Sequence, residues 1–274
     1  MPNIAIQGIL GSFHYIATKE YFKENITFLE CDSFNEMPPL LLEQKADFLV
    51  MAIENSIAGA ILPNFSLIGA YDLNIIGEIY LPITHNLLAL KGTKIQNLKE
   101  VCSHSMALLQ CQEFFKNYPH IKLVEYADTA LFAKKIASEN LKNVGAIASI
   151  EACKIYDLEI LAKQIQDNTQ NYTRFLILNK QENKTNINAN KASLSFVLKH
   201  SVGSLAKILN LLASYHLNLC KIQSLPIPSN PFEYAFFSEI TFKDYANYQN
   251  GLKVLQQEVE KLQILGEYEE NKLN

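Results

Sequence analysis

Apolar runs of four to six residues alternate with amphipathic stretches through the first two thirds of the chain. Residues 4–7, 48–53, 122–126, 144–148 and 175–178 read as strands, and the segments between them carry helical periodicity. That alternation predicts βαβ units around mainly parallel sheet. Ser33-Phe34-Asn35-Glu36 has the spacing of a capping box, although Pro38 and Pro39 follow closely, and Asp128 is placed to cap a helix running to about Glu139. Residues 179–191 form the longest polar interruption, with Ile187 and Ala189 as its apolar members, and read as a linker. Beyond it the pattern changes to strand (193–198), helix (204–215), strand (219–225), turn (226–231), strand (234–242), helix (245–261) and strand (262–268). A βαββαβ order places both helices on one face of a four-stranded sheet, which predicts a small regulatory or dimerising module.

At 274 residues and 49% apolar content, the chain is long for one compact unit, so two domains are expected. No stretch approaches about 18 uninterrupted apolar residues, and the opening Met1-Pro2-Asn3-Ile4-Ala5-Ile6 lacks a basic segment leading into an apolar one. A cytoplasmic protein with no membrane partner is therefore expected. Cys31, Cys102, Cys111, Cys153 and Cys220 are scattered without a Cys-x-x-Cys pair, which points to core thiols rather than disulfides or zinc. A net charge of -4 without a basic stripe gives no footprint for nucleic acid. Neither Gly-x-x-x-x-Gly-Lys nor Gly-x-Gly-x-x-Gly occurs, and the six histidines form no His-Glu-x-x-His, so neither a cofactor nor a metal is expected.

Ligands of open α/β sheets sit beyond the carboxyl ends of the strands. Gly8-Ile9-Leu10-Gly11-Ser12-Phe13 follows the first strand, either to cradle an anion on backbone N–H groups or to make a tight turn. Glu54-Asn55-Ser56 follows the second. Ser103 is placed to cap a helix beginning at His104, with Gln110 two turns along on nearly the same face, and Ser149 repeats the arrangement of a hydroxyl after a strand. His85 and His104 read as core or helix-end groups. Among 24 basic side chains the one arginine is Arg174. Its planar donor fork suits a carboxylate, which is either a ligand's or an internal acid's.

Together these segments resemble the prephenate dehydratase family. The resemblance rests on Asn171-Tyr172-Thr173-Arg174-Phe175, Ile53-Glu54-Asn55-Ser56 with Gly59, Glu78-x-x-Leu81-x-Ile83-x-His85-x-Leu87, Ser103-His104 with Ala107-Leu108-x-Gln110-Cys111, Asp128-Thr129-Ala130 and Ala146-Ile147-Ala148-Ser149. In the tail, Gly203-Ser204-Leu205 and Asn218-Leu219-x-Lys221-Ile222 resemble an ACT domain. Departures are Ile9, Ser12 and His14 where the family has Pro, Thr and Ser, Ala58 for Glu, and Ser105-Met106 for Pro-Gln. Gln223-Ser224-Leu225-Pro226 stands where the family has Glu-Ser-Arg-Pro.

The resemblance implies an α/β fold: a two-lobed catalytic domain like a periplasmic binding protein (1–181; lobes of about 1–78 with 171–181, and 79–170), a linker (182–190) and a ferredoxin-like ACT domain (191–274). It implies conversion of prephenate to phenylpyruvate without a cofactor, L-phenylalanine as allosteric ligand, and a homodimer or homotetramer. Thr173 and Arg174 are implied as catalytic, with Asn55, Ser103, Gln110, Ser149, Glu54 and Phe13 on the substrate. Gly203, Ser204, Leu205, Asn218 and Ser224 are implied for phenylalanine. Arogenate dehydratase and a non-catalytic sensor of small aromatic acids are the alternatives. Neighbours in a strand point to opposite faces, so Thr173 and Arg174 share a pocket only if they precede the regular strand or sit at a twist, and regular pairing is expected to begin at about Phe175.

Overall fold

The computed structural model describes residues 1–23, 25–180, 186–227 and 233–272. The chain begins β1 (Asn3–Gln7), α1 (Phe13–Phe22), β2 (Thr27–Cys31), α2 (Met37–Leu42), β3 (Phe48–Asn55), β4 (Gly59–Ala60), α3 (Leu62–Ala70) and β5 (Asn74–Pro82). It continues with β6 (Asn86–Ala89), β7 (Glu100–Ser103), α4 (Ser105–Leu109), α5 (Gln112–Phe115), β8 (Lys122–Glu125), α6 (Thr129–Ser138), β9 (Val144–Ala148), α7 (Ile150–Ile155), β10 (Glu159–Ala162) and β11 (Tyr172–Asn179). The tail comprises β12 (Lys191–Val197), α8 (Ser204–Ser214), β13 (Asn218–Pro226), β14 (Tyr234–Thr241), α9 (Tyr245–Glu258) and β15 (Lys261–Tyr268).

Two compact units emerge, one of Met1–Ala60 with Tyr80–Phe175, the other of Ile61–Ile79 with Leu176–Asn274. In the first, β1 lies parallel between β2 and β3. A second sheet has the order β10-β6-β9-β7-β8. Here β7 is parallel to β8 and β9, whereas β6 is antiparallel to β9 and β10, so the expected mainly parallel sheet is in fact mixed. Its strands are apolar on both faces for a visible reason. Leu88, Cys102 and Ala146 pack with α6, while their neighbours Leu87, Val101 and Ile147 pack with Ala107 and Phe115. Asp128 caps α6 as expected, its Oδ1 accepting from the N–H groups of Ala130 (2.8 Å) and Leu131 (3.0 Å).

The second unit contains the antiparallel sheet β13-β14-β12-β15, with α8 and α9 closing one face over Leu194, Phe196, Ile208, Leu212, Ile240, Tyr248 and Leu255. The β12-α8-β13-β14-α9-β15 order is the expected βαββαβ. Of the expected linker, residues 182–185 lie outside the described residues. Asn190 already belongs to the sheet, its N–H donating to Tyr268 and its carbonyl accepting from Phe242. The expected turn at 226–231 falls partly outside the described residues.

The sheet's other face meets the segment 61–79. Phe237 packs edge-on against Phe65 at 4.7 Å, and Lys191 Nζ contacts Glu78 at 2.9 Å and Glu239 at 3.6 Å with all three side chains buried. A Cβ at Gly266 would lie 2.0 Å from the Ile75 carbonyl oxygen, backbone that has no room to yield. Gly266→Ala is accordingly expected to destabilise this unit by roughly 3 kcal/mol, read as a lower denaturant midpoint; an unchanged midpoint would contradict so close an approach. Among the described residues no helix is long and apolar enough to cross a membrane, and no group of three or more His, Cys, Asp or Glu is placed to hold a metal ion.

Candidate active site

The adjacent ends of β3 and β11 organise the site. Ser56 N–H donates to the Tyr172 carbonyl (2.8 Å), Asn55 Nδ2 to Thr173 Oγ1 (3.0 Å), and Arg174 Nη1 to Glu54 Oε1 (3.0 Å). Contacts that descend one strand as they ascend the other mark an antiparallel pair. Regular structure therefore begins at Tyr172, not at the expected Phe175, because Ser56 extends the pairing outward: its N–H and its hydroxyl both bond Tyr172. Strand alternation then puts Thr173 with Asn55 on one face and Arg174 with Glu54 on the other. Arg174 is 2% exposed, has an internal carboxylate as partner and lies 5.7 Å from the Tyr80 ring centre.

On the Thr173 face, uncharged groups form a continuous relay. Asn55 Nδ2 reaches Asn171 Oδ1 (2.7 Å), Asn171 Nδ2 donates to Gln110 Oε1 (2.9 Å), and the same oxygen meets His85 Nε2 (3.0 Å). The Asn171 carbonyl accepts from Ile83 N–H (2.8 Å), fixing it beside the segment that leads to His85. Burial pushes the His85 imidazole below its ordinary pKa, against a smaller opposing effect of the Gln110 bond, so the ring is neutral. Phe13, the first residue of α1, borders it edge-on at 5.7 Å. His14, next along, is held neutral by burial with its pKa down to about 3, and its Nε2 accepts from Ala52 N–H (3.2 Å).

Other expected placements differ in the structure. Ser103 is the last residue of β7 and fully buried, and its hydroxyl donates to the Ile147 carbonyl (2.7 Å). His104 is the cap instead, its Nδ1 facing Met106 N–H (3.3 Å), and five-residue α4 ends before Gln110, so Ser103 and Gln110 share no helix face. Ser149 caps α7 and donates to the Gly11 carbonyl (2.6 Å), spending its proton on the backbone. In the turn after β1, the N–H groups of Gly8, Leu10 and Ser12 bond Cys31, Glu30 and Ile9. Its glycines serve geometry, since a Cβ at Gly11 (φ +89°) would lie 2.8 Å from Ala152 Cα.

Residues 4–183 match the profile of the prephenate dehydratase family. The chain belongs to this family. It is 36% identical to arogenate dehydratase/prephenate dehydratase 2 of Arabidopsis thaliana, covering 97% of this chain and 72% of that protein. It is 33% identical to the bifunctional chorismate mutase/prephenate dehydratase of Aquifex aeolicus, covering 97% and 73%. The prephenate dehydratase of Arthrobacter aurescens, solved in complex with L-Phe, shares the fold at a TM-score of 0.88 with 24% identity, covering 98% of this chain and 90% of that one. Within this dehydratase fold, reasoning from sequence passed over Asn171 and His85 as members of the site. A polar residue two positions before Thr173 was the one available signal for Asn171; it is fully buried and holds the centre of the relay.

In the tail, Gly203 takes a left-handed conformation (φ 83°) before α8, and Ser204 and Leu205 open that helix. Asn218 begins β13, where its Nδ2 reaches Thr241 Oγ1 (3.3 Å), and it lines a cavity of about 590 Å³ with Tyr215, His216 and Lys243. The 11 residues of α8 separate this end from Gly203 by about 16 Å. Ser224 lies six residues along β13 from Asn218.

Proposed function

We propose that this chain removes the ring hydroxyl and ring carboxylate of prephenate together, with Thr173 as the hydroxyl that serves the departing oxygen. The carrying observation is the direction of one hydrogen bond. Asn55 Nδ2 donates to Thr173 Oγ1, so the threonine proton is turned away from Asn55 and available to a guest. The C–O bond breaks with its electron pair on oxygen, the electrons of the C–CO₂⁻ bond move into the ring, and carbon dioxide departs. The departing hydroxide takes one proton across the Thr173 hydrogen bond and Thr173 recovers its own from solvent water, so water leaves and phenylpyruvate remains. Aromatisation drives the reaction, so the site has only to position the substrate and supply that proton.

Asn55 and Gln110 orient substrate oxygens, and Phe13 excludes water from the leaving carboxylate. Arg174 acts through Glu54: the pair holds the end of β3 against β11 and so fixes Asn55 under Thr173. Ser103 and Ser149 secure the frame through backbone carbonyls. Residues 1–181 are assigned to catalysis and 191–274 to regulation by L-phenylalanine in the cytoplasm, the ligand bound in the solved relative. Because the phenylalanine candidates divide between the two ends of α8, a homodimer or larger oligomer is needed to complete that site.

The test mixes purified protein with prephenate or arogenate and follows phenylpyruvate or phenylalanine, with L-phenylalanine titrated against rate and oligomer size. Prephenate is expected to turn over with the higher kcat/KM, and L-phenylalanine to change both readouts. A higher kcat/KM for arogenate would make this an arogenate dehydratase, as the Arabidopsis relative's double name allows. No product from either acid would leave a binding protein, and no response to L-phenylalanine would leave the tail structural.

A further inference from the structure

The relay has a direction, and it is set by the backbone. Asn55 Oδ1 accepts from the N–H groups of Ile57 (3.0 Å) and Ala58 (2.9 Å), which fixes that amide with its Nδ2 toward Asn171 and Thr173. Asn171 must then present its oxygen to Asn55 and its nitrogen to Gln110, so Gln110 presents an oxygen to both Asn171 and His85. An amide oxygen can only accept, which makes His85 Nε2 the protonated nitrogen. Nδ1 is left as a bare lone pair. It is buried, and among the described residues it has no hydrogen-bond partner.

A buried acceptor without a donor is costly and signals a missing hydrogen-bonding group. With both its carboxylates ionised, prephenate carries one O–H donor, the ring hydroxyl that leaves. We infer that His85 Nδ1 accepts the hydrogen bond of this hydroxyl, an inference that rests on the prephenate reading of the site. The leaving oxygen is then gripped twice. Its own proton points to His85 Nδ1, which orients the oxygen, while a lone pair accepts the Thr173 hydrogen bond. His85 supplies no proton, because Nδ1 has none to give. It selects a substrate bearing a hydroxyl and aims the C–O bond at Thr173.

Two substitutions separate this role from a structural one. His85→Gln places a donor near the Nε2 position and keeps the bond to Gln110 but removes the Nδ1 acceptor; His85→Asn keeps an acceptor near Nδ1 and gives up the bond to Gln110. The inference predicts that kcat/KM falls about 10- to 100-fold in His85→Gln, mainly in kcat, and less in His85→Asn. If the relay alone mattered the ranking would be reversed, and that result overturns the inference. Independently of variant folding, ¹⁵N-histidine NMR of the wild-type protein is expected to show Nδ1 moving upfield on addition of a dihydro analogue of prephenate, which keeps the hydroxyl but cannot aromatise. An unmoved Nδ1 at saturation also overturns it. Wild-type protein that makes no phenylpyruvate would defeat the prephenate reading itself, whereas turnover with the reversed ranking defeats the His85 role alone.

Discussion

Thr173→Ala is expected to lower kcat about 10²- to 10⁴-fold while KM changes by less than about fivefold, measured as phenylpyruvate formed from prephenate. The asymmetry follows from what the side chain touches. Its Oγ1 is an acceptor for Asn55, which leaves its proton free to turn to a bound prephenate, so in the proposed role the group matters most as negative charge builds on the departing oxygen. The amides of Asn55, Asn171 and Gln110 bond one another and stay in place without it, which preserves the ground-state cradle. Thr173→Ser keeps the hydroxyl and is expected to retain most of the rate. Full activity in Thr173→Ala would remove the site assignment, and an equal loss in both variants would point to the methyl group rather than the hydroxyl.

The largest expected loss of stability is that of Lys191→Met, about 3–5 kcal/mol. Lys191 is the ammonium that both Glu78 and Glu239 face, and all three side chains are at most 3% exposed. Taking it away leaves two buried carboxylates facing each other's charge without that compensation. Neutralising them in the same chain, with Glu78→Gln and Glu239→Gln, is expected to recover much of the loss, because the penalty lies in uncompensated charge rather than in lost packing. Denaturant melts of the single and triple variants check this. A single variant that melts with the wild type, or a triple variant that melts no higher than the single one, would show that the cluster does not hold the tail sheet to residues 61–79.

The amino-acid order by itself determined the chemistry available and the layout of the tail. Strand-period and helix-period runs are local, so the βαββαβ succession after residue 191 and the cap at Asp128 could be read from neighbours in the chain. The Asn171-Tyr172-Thr173-Arg174 run and Glu54-Asn55 likewise marked two segments that the fold joins by hydrogen bonds. What each residue does there is a matter of distant partners. Asn55 finds Asn171 across 116 positions and Asn171 finds Gln110 across 61, separations at which no spacing rule operates. The start of β11 was misjudged for the same reason, since its pairing at Tyr172 depends on Ser56. Three-dimensional closure alone decided that Thr173 and Arg174 face opposite ways, that Ser103 and Ser149 spend their protons on backbone carbonyls, and that a chain of amides fixes which nitrogen of His85 carries hydrogen. Periodicity is a property of adjacent residues, whereas the direction of a hydrogen bond belongs to whichever group the fold brings opposite.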